Sequence, residues 1–139
     1  MTDAESDSPV TLYQAVGGRT YFTAVVDEFY RRVADDPLLR PMYPDDLVES
    51  RRTLTLFLIQ YWGGPTDYSD ERGHPRLRMR HVPFVIGAAE RTAWLGHMRD
   101  AVGSVALPAG LPPEAVEEIG VMLDRYFEHA SEAMINHPS

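Results

Sequence analysis

A chain of 139 residues holds enough material for one domain with a buried core and too little for two. With 44% hydrophobic, 10% aromatic and 24% charged residues, its composition is that of a soluble globular protein, which excludes a disordered, collagen-like or membrane-embedded chain. The formal net charge of -8 disfavours nucleic acid and anionic lipid as partners, and the lack of cysteine removes disulfides, thiolate nucleophiles, zinc–thiolate sites and iron–sulfur clusters.

Residues 1–10 are polar and acidic, without the basic and apolar regions of a signal peptide. They read as a frayed tail ahead of a single domain over residues 11–139, with the cytoplasm as the default compartment. Thr11 is placed to cap a short helix over Leu12 to Val16, which Gly17-Gly18 stop. Phe22, Val25, Val26, Phe29, Tyr30 and Val33 then recur at spacings of three and four, predicting an amphipathic helix from about Arg19 to Ala34. Asp36-Pro37 opens one or two helical turns that Pro41 and Pro44 cut short, so the segment around Tyr43 is a tight corner.

Asp45 or Asp46 is the expected cap of the next helix, whose shared side comprises Leu47, Ser50, Leu54, Phe57, Leu58 and Tyr61 before Gly63-Gly64-Pro65 end it. Residues 63–75, rich in glycine and proline, read as a loop that packs around something. Arg76 to Val82 has room only for a short helix. A long one follows over about Ala88 to Val105, burying Trp94, Leu95, Met98, Ala101, Val102 and Val105. Pro112-Pro113 start the last, with a stripe of Val116, Ile119, Leu123, Tyr126, Phe127, Ala130 and Met134. No alternating strand pattern competes, so the fold class is all-α, helices crossing around one core.

Five histidines are the only side chains of unperturbed neutral-range titration and the only strong soft-metal ligands. None forms HxxxH or HxxEH, which removes the common helical zinc and di-iron sites; no nucleophile elbow or phosphate-cradling glycine loop supports a hydrolase or kinase. His81 stands out because it shares a helical face with Leu77 while Arg76 and Arg80 share another. Haem calls for that set: one neutral imidazole for iron, an apolar slot for the porphyrin, and cations for two propionates. The same pattern also suits a histidine that bonds a backbone carbonyl beside a solvated arginine face. A second feature is the number of aromatic residues with polar tips expected inside, Tyr30, Tyr43, Tyr61, Trp62 and Trp94, whose O–H and N–H groups need partners. Tyr30, Tyr43 and Trp94 come from three elements and converge if those elements enclose one ligand.

From about Leu12 to Val105 the chain resembles the group II truncated haemoglobins. The residues that carry the resemblance are Ala15-Val16-Gly17-Gly18, Met42-Tyr43-Pro44, Gln60-Tyr61-Trp62-Gly63-Gly64-Pro65, Tyr68-Ser69 and the run Arg72-Gly73-His74-Pro75-Arg76-Leu77-Arg78-Met79-Arg80-His81. The resemblance implies a two-over-two helical sandwich enclosing haem b, one per chain, with His81 as the iron ligand. It places Tyr30, Tyr43 and Trp94 as the polar residues of the ligand pocket, Ser50 where longer globins commonly carry a distal histidine, Leu54 and Phe57 as pocket walls, and Leu77 and Phe84 on the His81 side. Several relatives put a basic residue just before the position of Leu54, where this chain has Thr53. The expected propionate partners are therefore Arg80 with Arg78 or Tyr68.

Two or three N–H and O–H donors around a gas ligand favour slow release, which suits chemistry on the ligand better than delivery. The implied function is binding of dioxygen and other diatomic gases such as nitric oxide and carbon monoxide, in support of peroxide or nitric-oxide detoxification. Turnover would draw on an external reductase, because the chain has no flavin or nicotinamide motif. The alternatives are a storage globin without turnover and, from another class, a colourless helical interaction module; homo-oligomerisation is left open.

Overall fold

The computed structural model describes residues 10–81 and 83–137, with the backbone alone at Arg78. The acidic tail therefore lies, Val10 apart, outside the described residues. Among the described residues seven α-helices follow in order: α1 Leu12–Ala15, α2 Arg19–Ala34, α3 Val48–Tyr61, α4 Asp67–Arg72, α5 Leu77–His81, α6 Ala88–Ser104 and α7 Pro113–Ala133, with one 3-10 turn at Arg40–Met42. The described residues contain no strand. None of these helices is long and apolar enough to cross a membrane.

Local chemistry explains most boundaries. Thr11 and Gln14 form a reciprocal capping box on α1, Thr11 Oγ1 accepting from the Gln14 N–H at 3.1 Å and Gln14 Oε1 from the Thr11 N–H at 3.1 Å. The six apolar residues of the α2 stripe are all buried, with Val26, Phe29 and Val33 fully so. This helix packs against both α3 and α6, and α6 packs against α7, which gives the expected two-over-two sandwich. Its core is built from Phe22, Phe29, Leu58, Ile59, Met98 and Leu123.

Four expectations change. Residues 67–72 are helical, because Gln60 of α3 reaches across to hold Ser69: Nε2 donates to the Ser69 hydroxyl at 2.7 Å and Oε1 accepts its backbone N–H at 2.9 Å. Leu47, not Asp45 or Asp46, is the residue flanking α3, although Asp46 does accept the Val48 N–H at 2.9 Å. Tyr61 is 52% exposed, since α3 buries Thr55 to Ile59 continuously near its end and turns its last residue outward. Val116 is 41% exposed in the first turn of α7.

The turn after α3 depends on close approach. The Tyr13 N–H donates to the Trp62 carbonyl at 3.0 Å, drawing α1 onto the end of α3. A Cβ at Gly64 would lie 2.7 Å from Ile59 Cγ2 and 2.8 Å from the Tyr13 ring. Gly64→Ala is therefore expected to cost about 2 kcal/mol and lower the Tm by several degrees in a thermal melt. An unchanged Tm would show that the corner relaxes freely.

Candidate functional site

Helix α5 is only five residues long, yet it fixes one imidazole. Leu77 and His81 stand one turn apart, and His81 Nδ1 lies 2.6 Å from the Leu77 carbonyl oxygen. A carbonyl only accepts, so Nδ1 carries the hydrogen and the neutral ring keeps its lone pair at Nε2, the tautomer a metal requires. Phe84 follows with its ring tilted and 6.5 Å from that of His81, their segments joined by the Phe84 N–H to His81 carbonyl bond at 3.0 Å.

His81 lines a cavity of about 450 Å³ whose walls come from α2 to α7. Every site residue expected from the sequence lines it, Tyr30, Tyr43, Trp94, Ser50, Leu54, Phe57, Tyr68, Leu77, Arg80, His81 and Phe84, except Arg78, whose side chain lies outside those described. The volume falls within the range of cofactor sites, and a largely apolar lining with a few polar groups is what a porphyrin needs.

Tyr30, Tyr43 and Trp94 are brought together by aromatic packing. Tyr30 and Tyr43 meet edge to face at 5.5 Å, Tyr30 and Phe29 at 5.0 Å, and Phe29 and Trp94 at 5.3 Å. Burial pushes the Tyr30 hydroxyl far above its ordinary value, the neighbouring Tyr43 adding to the shift and Arg51 opposing it. Burial raises Tyr43 to about 12, against a smaller lowering by the Trp94 indole N–H. Both phenols thus stay protonated at neutral pH and offer O–H donors beside the indole N–H.

The rim carries cations. Arg80 lines the cavity while its guanidinium is anchored to the loop before α5, Nε donating to the Pro75 carbonyl at 2.6 Å and a terminal nitrogen to the Arg72 carbonyl at 3.0 Å. Arg72 also lines the cavity; its guanidinium reaches the Thr53 hydroxyl at 3.4 Å and the Glu49 carboxylate at 3.9 Å. A guanidinium from α4 thus stands at the cavity edge beside Thr53 of α3. Sequence reasoning missed this role because it read residues 63–75 as a loop, although Arg72 was one of four arginines in the run 72–80. It also missed Arg91, Ala130 and Met134 as wall residues. Tyr68 is 2% exposed, its ring edge-on to Phe57 at 5.4 Å.

One contact outside the cavity holds two of its walls together. His97, one turn after Trp94 on α6, places Nε2 2.6 Å from Asp36 Oδ2. The other oxygen of Asp36 accepts the Leu38 and Leu39 N–H groups at 2.8 and 3.4 Å, at the start of the corner that ends in Tyr43.

A family model described as bacterial-like globin matches residues 11–131. The chain is 48% identical over 95 residues to group 2 truncated hemoglobin YjbI of Bacillus subtilis, an overlap covering 68% of this chain and 71% of that one. Among solved structures it is similar to a thermostable haemoglobin of the actinobacterium Thermobifida fusca, with TM-score 0.83, 51% identity and coverage of 94% and 100%. It is also similar to a truncated oxygen-avid haemoglobin of Bacillus subtilis, with TM-score 0.78, 40% identity and coverage of 91% and 100%.

The Asp36–His97 contact makes the corner sensitive to acid. The His97 ring hydrogen bond, followed by the two backbone N–H groups, holds the Asp36 carboxyl below its ordinary range. A depressed carboxyl stabilises the fold above its unfolded value, and that contribution fades as pH falls through the folded one. Asp36→Asn is expected to lower the Tm by a few degrees at neutral pH and to flatten its decline in acid, as read by melts from neutrality into the acid range. Parallel curves for the two proteins would refute the assignment.

Proposed function

The chain belongs to the bacterial-like globin family, as a group II truncated haemoglobin, and on that premise we propose that it holds one haem b in the cavity beside His81 and binds dioxygen with slow release. The observation that carries this reading is the His81 imidazole, its Nδ1 committed to Leu77 and its Nε2 without a hydrogen bond among the described residues, on the same cavity as Tyr30, Tyr43 and Trp94. The residues present fit the group: apolar walls from Leu54, Phe57 and Leu77, and cations at the rim from Arg72 and Arg80. Haem supplies an iron that takes dioxygen, nitric oxide or carbon monoxide as a ligand and can exchange single electrons.

The chain's own residues set the rest of the behaviour. His81 would hold the metal through Nε2, with the Leu77 carbonyl making that nitrogen a stronger base. Phe84 packs beside the imidazole, and Leu54 and Phe57 keep water from the cavity walls. Tyr30, Tyr43 and Trp94 would offer O–H and N–H hydrogen bonds to a diatomic ligand in the cavity. Each donor contributes roughly 0.5–1.5 kcal/mol, and about 1.4 kcal/mol is ten-fold, so two or three slow escape on the order of a hundred-fold. The oxygen-avid description of the Bacillus subtilis relative supports this assignment. Slow release favours chemistry on the ligand, detoxification of peroxide or nitric oxide, with electrons from a separate reductase. Small Ser50 leaves one side of the cavity open for entry.

Reconstitution with hemin is expected to give a Soret band that His81→Ala weakens and shifts. In stopped-flow measurements, Trp94→Phe and Tyr43→Phe should each speed oxygen release by about ten-fold; release that is fast and equal in all three proteins would remove the retention argument. Negligible peroxide and nitric-oxide turnover with any reductant would leave a storage globin instead. Arg72→Ala is expected to raise the rate of hemin transfer to apomyoglobin several-fold, through loss of one rim cation.

A further inference from the structure

Residues 83–87 include Pro83, which offers no N–H, and form no regular helix, so several of their polar backbone groups need partners from elsewhere. The Phe84 and Gly87 N–H groups bond locally, to the His81 carbonyl and the Glu90 carboxylate, and the rest draw on one residue beyond the end of α7. The Asn136 side-chain oxygen accepts the Ile86 N–H at 2.9 Å, and its side-chain nitrogen donates to the His81 carbonyl at 3.2 Å and to the Phe84 carbonyl at 2.9 Å. The Ile86 carbonyl in turn accepts the Asn136 and His137 backbone N–H groups at 2.9 and 3.1 Å. The amide orientation is fixed by its partners, because two carbonyls demand the NH2 end and one N–H demands the oxygen.

From these contacts we infer that Asn136 is a positioning residue for the His81 imidazole, and the inference rests on the haem reading above. Leu77 restrains the ring from the N-terminal side of His81 and Asn136 restrains its backbone from the other, so the direction of Nε2 is set by both. No shorter side chain can do this. Asparagine alone among residues of its size is both donor and acceptor through one planar group; aspartate keeps the acceptor but turns a negative charge on two carbonyl oxygens. Because α7 also supplies Tyr126, Phe127 and Ala130 to the cavity wall, Asn136 ties the segment that carries His81 to the helix that closes the same cavity.

The test uses the haem-loaded protein, and reads the iron–histidine stretching band of the ferrous form by resonance Raman together with hemin transfer to apomyoglobin. Asn136→Asp and Asn136→Ala are expected to shift or broaden the band and to speed hemin loss about ten-fold, the effect of losing about 1.4 kcal/mol of hydrogen bonding. Asn136→Gln, which keeps the amide, should recover part of both. Arg99→Ala, which breaks the pairing of α6 with Asp124 and Glu128 of α7, should lower the Tm and leave the band in place. A wild-type band and rate in Asn136→Asp overturns the inference, as does an equal band shift in Arg99→Ala. If Asn136→Asp and Asn136→Ala do not fold, Asn136→Gln decides: loading with a band near the wild-type position upholds the role, and failure to load overturns it. A wild-type chain that takes up no haem overturns the haem reading and this inference together.

Discussion

The hydrogen bond from His81 Nδ1 to the Leu77 carbonyl, 2.6 Å long within a helix of five residues, is the constraint on which the rest of the site depends. It settles a question that an imidazole alone leaves open, namely which nitrogen faces outward with a lone pair. The two readings of His81 offered by the sequence, a satisfied helix histidine and a metal ligand, are compatible with one arrangement. A ring nitrogen bonded to the backbone is what makes the other nitrogen available, so the bland contact is a condition of the functional one.

The far walls of the cavity rest on a different physical basis. Tyr30 is buried on the main stripe of α2, while Tyr43 on a proline-bounded corner and Trp94 on α6 are partly buried, three elements with no covalent reason to coincide. They coincide because Phe29, one residue before Tyr30, packs edge-on against both Tyr30 and Trp94, and Tyr30 packs edge-on against Tyr43. Rings in such contact have little rotational freedom, so their polar tips are held where they fall. The Asp36–His97 bond fastens the corner and α6 from outside the cavity, with the aromatic contacts on the inside.

The apolar stripe made α2 legible from sequence to the residue, because helix period and burial agree at all six positions. Helix α4 was illegible for the opposite reason. It buries only Tyr68, has no stripe to detect, and owes its form to Gln60, which lies outside it. The site followed the same division. Residues whose chemistry is rare, His81, Tyr30, Tyr43 and Trp94, were visible as types and as a motif. Arg72 was visible in the motif but not as a cavity residue, since its placement depends on α4 turning it toward Thr53, and Asn136 carried no local signal at all, its partners being fifty or more positions away.

Gly64 meets Tyr13 and Ile59 so closely that there is no space for a methyl group, and Tyr13 is held there by its backbone bond to Trp62. Positions 13 and 64 are therefore a steric couple joining the first helix to the one that carries Ser50, Leu54 and Phe57. Along lineages of this chain, a bulkier residue at 64 is compatible only with smaller side chains at both 13 and 59, so substitutions at the three should arise together.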